Sequence, residues 1–152
     1  NICRSPLAQG IFEALVNEEG LQNRIIISSA GVSGWHVGNP PDARMQQTAR
    51  DHGINLNSRA RQFQSSDFEQ MDLVLAMDHS NLSALKQMST EPELQDKLFL
   101  FRSFDPQHNN DLEVPDPYYG GDIGFETVYQ LVDRTCPKVL DHLKTQLAKK
   151  HE

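Results

Sequence analysis

Apolar residues recur every four positions at the start of the chain. Leu7, Ile11 and Leu15, with Ala8 and Phe12 beside them, predict a helix from Pro6 to about Glu19. Ser5 is placed as its N-cap, Pro6 suits the first helical position, and Gly20 stops it. The β-branched run Arg24-Ile25-Ile26-Ile27-Ser28-Ser29 reads as a buried strand. A Gly- and Pro-rich loop follows from Ala30 to Pro41. A helix from Asp42 to His52, with Met45 and Ala49 on one face, ends at Gly53. Arg61-Gln62-Phe63 is extended, and Ser65 or Ser66 caps a short helix through Phe68. Leu73 to Met77 is a second buried strand, and Asp78 or Ser80 caps a helix carrying Leu82, Leu85 and Met88. Leu98 to Phe101 is the last strand. A long loop covers Asp105 to Ile123, and a final helix from near Phe125 contains Pro137, which should kink or divide it. Strands separated by helices imply right-handed βαβ crossovers and a parallel sheet covered on both faces. In such sheets a ligand sits beyond the carboxyl ends of the strands.

Composition adds limits. At 152 residues, with 38% hydrophobic and 23% charged positions, the chain is one globular domain with room for a core. A net charge of −7 without a basic run argues against nucleic-acid binding. No apolar run is long enough to span a membrane. Cys3 and Cys136 make no disulfide framework, so reduced thiols and a cytoplasmic location are expected. The six histidines are scattered, and no His, Cys and Asp cluster has metal-ligand spacing, so neither metal nor cofactor is expected.

Two stretches carry chemistry. Asn1-Ile2-Cys3-Arg4-Ser5-Pro6 reads as the second half of a phosphate-binding loop entering a helix. A helix N-terminus favours an anion, and the planar fork of Arg4 can grip two phosphate oxygens. Far down the chain, Val114-Pro115-Asp116-Pro117-Tyr118-Tyr119-Gly120 holds one acid between two prolines and ahead of two aromatics. The prolines restrict the backbone, and the rings would shed water and raise the Asp116 pKa. On this segment alone, a rigid surface turn is the simpler reading.

Together these stretches resemble the low-molecular-weight protein tyrosine phosphatases, whose loop runs Cys, five residues, Arg, then Ser. Arg4 and Ser5 match its last two positions, and Asn1, Ile2 and Cys3 the three before. Asp116-Pro117-Tyr118-Tyr119 matches the late motif whose Asp is the general acid. Trp35, the Gly38-Asn39-Pro40-Pro41-Asp42 stretch, and Met77-Asp78 followed by Ser80-Asn81-Leu82 match as well, so the likeness covers nearly the whole chain. It implies a single phosphatase domain over residues 1–152. The fold would be a three-layer αβα sandwich with a four-stranded parallel sheet, the flavodoxin-like phosphatase I fold. The first strand and the nucleophilic cysteine would lie in about a dozen residues preceding Asn1, by usual strand length. Cys3 holds the family's second cysteine position and does not replace the nucleophile.

The implied reaction is hydrolysis of phosphotyrosine and small aryl phosphates through a phosphocysteine. Arg4 would hold phosphate and Asp116 would act as general acid, then base. Asn1, Ile2, Cys3, Ser5, Trp35, Tyr118 and Tyr119 would surround the substrate, with Ser29 and Ser58 bracing the loop. Ser58 departs from the histidine that mammalian members often carry there, and Ser5 serves equally as a helix cap. Cys3 could pair with the upstream cysteine under peroxide, or simply fill a tight loop. The implied partners are phosphotyrosine proteins, with inorganic phosphate or vanadate as inhibitors, and the chain would be a monomer or weak homodimer. Three rivals stand beside this reading. A protein arginine phosphatase tends to place threonine where Ile2 stands. An arsenate reductase needs further cysteines, and only Cys136 remains. The third is a phosphate-binding module without chemistry.

Overall fold

A computed structural model describes residues 3–32, 37–89, 91–119 and 122–150. Two long helices build its centre: α1 (Arg4–Glu18) and α6 (Asp122–Lys150). Leu7, Ile11, Phe12 and Val16 of α1 are buried with Phe125, Val128, Val132, Val139 and Leu140 of α6. Both sets follow the three-to-four-residue helical spacing, so each helix turns one apolar stripe inward. Each such side chain contributes roughly 1.5–3 kcal/mol by leaving water. Met45 and Ala49 of α2 (Ala43–Asp51) join this layer.

The sheet lies against it. β1 (Val74–Ala76) pairs in parallel with β2 (Leu98–Leu100), in the register Val74 to Leu98, Leu75 to Phe99 and Ala76 to Leu100. Side chains alternate across a strand. Leu75 therefore packs toward the α1–α6 layer, while Val74, Ala76, Leu98 and Leu100 face a second apolar cluster with Phe63, Phe68 and Leu85. Leu85 belongs to α4 (His79–Met88), and Phe68 to the short α3 (Asp67–Gln70). An apolar cluster thus lies on each face of the sheet, with α1 and α6 in one and α3 and α4 in the other. A short α5 (Pro92–Gln95) completes the crossover from β1 to β2.

Several boundaries differ from expectation. Helix α1 begins at Arg4 with Cys3 as N-cap, so Ser5 and Pro6 lie within its first turn and Ser5 is not the cap. Pro6 is tolerated there because first-turn N–H groups have no intrahelical acceptor. Both glycine stops hold: Gly20 (φ +70°) and Gly53 (φ +82°) adopt the left-handed conformation. At each, the glycine's own N–H and the next one bond back into the last turn, as in Gly20 to the Asn17 carbonyl and Leu21 to the Val16 carbonyl. Pro137 does not divide α6, whose flanking residues Val132, Cys136, Val139 and Leu140 are all buried. Packing there outweighs the lost hydrogen bond.

The sheet has two strands among the described residues, where three of the expected four were placed in this chain. Residues 25–29 join no ladder with a described strand, and near them only Gly31 forms a lone parallel bridge, to Gln62. Ile25 and Ile27 pack against the core while Ile26 is 91% exposed, so the run is half-buried. A cleft of about 910 Å³ lies between this run and β1, lined by Phe12, Ile25, Ile27, Leu73, Leu75 and Val139. β-branching favours an extended backbone, but a ladder also needs a neighbouring strand within hydrogen-bonding reach.

Candidate active site

The cleft opens at the carboxyl end of β1, where three segments meet. The first is the start of α1. Arg4 is its first residue, with its side chain 14% exposed. The second is Asp78, two residues beyond β1 and the N-cap of α4, whose carboxylate accepts from the Asn81 N–H at 2.8 Å. The third is the loop before α6, tied to the strand by the Val114 N–H donating to the Met77 carbonyl at 2.8 Å.

Arg4 joins all three. Its Nη1 donates to Asp78 Oδ2 and to the Val114 carbonyl, each at 2.8 Å, and its Nη2 lies 3.8 Å from Asp116 Oδ2. Burial raises the Asp78 pKa, but the Asn81 N–H and the Arg4 guanidinium outweigh it, and the net direction is down. Asp116 Oδ1 accepts from the Tyr118 N–H at 3.0 Å, which folds the Pro-flanked turn around its own acid. The side chain of Asp116 is 44% exposed. Arg4 and Asp116, far apart in sequence, therefore share one cleft, whose walls also include Cys3, Ser5, Ser29 and Tyr118.

Cys3 is buried. Burial first, then the Asp42 and Asp116 charges, pushes its pKa up to about 12, with Arg44 opposing. Its thiolate, the form that attacks as a nucleophile, is thus disfavoured. The Ser29 hydroxyl donates to Gln9 Oε1 on α1 at 2.6 Å, so the contact seen for it is to a helix side chain and not to the opening loop. Ser58 lies apart from the cleft, along a shallow groove beside Pro6 and Gln9. Asn1, Ile2 and Trp35 lie outside the described residues, as does the Tyr119 side chain.

Two groups escaped the sequence reading. Asp78 was legible as a cap but not as the partner of Arg4. Asp105 is wholly buried and accepts from Arg134 Nε at 2.8 Å, Arg134 Nη2 at 2.9 Å, Arg102 Nε at 3.1 Å and the Gln107 N–H at 2.8 Å. Arg102 also donates to the Glu113 carbonyl at 2.9 Å. This network fixes the start of the loop that leads to Asp116. Asp followed by Pro signals a turn, but nothing local points to Arg134 on α6.

A cationic fork at a helix mouth and a carboxylate at the carboxyl end of a parallel sheet thus share one cleft of an α/β protein. The chain matches the family described as low molecular weight phosphotyrosine protein phosphatase over residues 1–151. It is 42% identical over 148 residues to a low molecular weight protein-tyrosine-phosphatase of Streptomyces coelicolor, covering 97% of this chain and 90% of that protein. Among solved structures, a protein tyrosine phosphatase of Entamoeba histolytica superposes with a TM-score of 0.90 at 32% identity, covering 96% and 92% of the two chains. The Drosophila arginine phosphatase superposes with a TM-score of 0.86 at 36% identity, covering 95% and 92%. The chain belongs to the low molecular weight phosphotyrosine protein phosphatase family and has its flavodoxin-like α/β fold.

Proposed function

We propose that this protein hydrolyses phosphotyrosine in proteins, and small aryl phosphates, through a phosphocysteine. The observation that carries the reading is the 3.8 Å approach of Arg4 to Asp116 within one cleft. A thiolate attacks phosphorus, and the bond from phosphorus to the phenolic oxygen breaks. Asp116 gives its proton to the departing phenolate. Asp116 then takes a proton from the water that attacks the phosphocysteine, releasing phosphate and the thiolate. Arg4 and loop amides hold the equatorial oxygens and match the charge of the transition state.

The family's nucleophilic cysteine supplies the thiolate; Cys3 does not take that part, because burial and the Asp42 and Asp116 charges disfavour its charged form. Residues 1–152 form one phosphatase domain. Asn1, Ile2, Cys3, Ser5, Trp35, Tyr118 and Tyr119 line the substrate site. Inorganic phosphate and vanadate inhibit, the protein is a monomer or weak homodimer, and its two free buried cysteines suit the cytoplasm.

Asp116→Ala in the intact phosphatase should slow hydrolysis of poor leaving groups by roughly 10²–10⁴-fold, the usual worth of a general acid. An unchanged rate would remove Asp116 from the role. The likeness to an arginine phosphatase favours one second reading, hydrolysis of phosphoarginine. Apolar Ile2 suits an aryl ester better, so phosphotyrosine peptides should be cleaved faster than phosphoarginine peptides, and the reverse order would overturn the choice.

A further inference from the structure

Arg44 is not needed by the mechanism above, yet it joins the two loops that flank the cleft. It is the second residue of α2. The N-cap carboxylate of Asp42 accepts from the Arg44 N–H at 2.8 Å, from Nε at 3.2 Å and from Nη2 at 3.0 Å. The guanidinium is thus held in one plane by a bidentate partner. Its carbon lies 4.7 Å from the ring centre of Phe125, a buried residue of α6, and 5.6 Å from that of Tyr118. From this seat Nη2 donates to the Tyr118 carbonyl at 3.1 Å. The Tyr118 N–H in turn donates to Asp116 Oδ1, and Asp116 Oδ2 faces Arg4.

The contacts form a continuous chain from α2 to the acid. Val114 secures one end of the segment 114–118 to Met77, just beyond β1, and Arg44 secures the other to α2 and α6. Asp116 itself is 44% exposed, so packing does little to aim it. Its direction follows from the peptide of Tyr118. Small displacements matter here, because a proton moves only across hydrogen-bond distance and an error near 1 Å can cost about 10²-fold.

We propose that Arg44 is a positioning residue for the general acid, acting through Tyr118. This rests on Asp116 being that acid. Lysine in its place keeps one charge but loses the fork and the planar stacking, so it should not substitute.

The test is kcat/KM for aryl phosphates of graded leaving-group pKa, from 4-nitrophenyl to phenyl phosphate, in the intact phosphatase. Variants are Arg44→Lys, Arg44→Ala, Asp116→Asn and the double variant Arg44→Ala/Asp116→Asn. The Arg44 variants should lose about tenfold or more on phenyl phosphate but less than about threefold on 4-nitrophenyl phosphate, which needs little protonation. Inhibition by inorganic phosphate should hold within about twofold, because Arg4 rather than Arg44 grips the anion. Adding Arg44→Ala to Asp116→Asn should cost nothing more, since the acid to be aimed is gone. An equal loss on every ester, weaker phosphate inhibition, or multiplied effects in the double variant would overturn the proposal. If Arg44→Ala does not fold, Arg44→Lys gives the same readings. Asp116→Asn without leaving-group dependence would instead remove the general-acid reading, and the proposal with it.

Discussion

Replacing Asp105 with asparagine takes one negative charge from a site that is 1% exposed and leaves Arg102 and Arg134 facing a neutral amide. Burial pushes this carboxyl pKa up, but bonds from Arg134, the Gln107 N–H and Arg102 outweigh it and bring it from 3.8 down to about 2. That gap is worth about 2 kcal/mol in favour of the charged native form. Breaking a buried pair on one side usually costs roughly 3–5 kcal/mol, because a charge is left stranded. Arg134 is 32% exposed and can regain water, so the lower end applies. Asp105→Asn should therefore lose about 2–3 kcal/mol at pH 7, or about 5–10 °C in Tm for a chain of this size. Urea unfolding over a pH series reads the sign. The folded pKa is depressed, so the contribution is complete above the unfolded value of 3.8 and is lost as pH falls through about 2. The difference between wild type and variant should be constant from pH 7 to about 5 and shrink below about 4. A loss under about 0.5 kcal/mol at pH 7, the size of an ordinary surface substitution, or a difference unchanged at pH 2, would refute the reasoning.

Arg4→Ala should weaken both phosphate inhibition and turnover, read as a raised Ki and a lowered kcat; intact phosphate affinity would take Arg4 out of anion binding. Cys3 and Cys136 are both buried with raised thiol pKa values, so folded protein at pH 7 should leave both unalkylated by iodoacetamide, read by peptide mass mapping, while urea exposes both. Gly53→Ala has open space around its Cβ, yet its φ of +82° makes a loss of about 1 kcal/mol in urea melts the expected result, and no loss would mean the helix end reshapes.

Local chemistry made much of this legible. Gly20 and Gly53 read as helix stops because a left-handed residue without a Cβ is a local requirement, and Asp78 read as a cap for similar reasons. The meeting of Arg4 with Asp116 was readable only through two motifs taken together, since neither segment contains a reason to approach the other. Where pairing decides, reading failed. Ile25 to Ile27 carry strand propensity but no ladder, and β1 and β2 each keep three residues of their longer apolar runs. Ser5 was a better cap by residue type than Cys3, but the helix begins two residues earlier. Pro137 lost to burial on both sides of it. Asp105 and Arg44 owe their roles to partners on distant elements, and no spacing rule reveals those.

The seat of Arg4 has one consequence for how damage would show itself. The guanidinium that lies near Asp116 also ties the mouth of α1 to the residue capping α4 and to the loop before α6. Anchoring and chemistry then share one side chain. A lesion at Arg4 should register together in thermal melts and in turnover, whereas a lesion at the half-exposed Asp116 can separate the two.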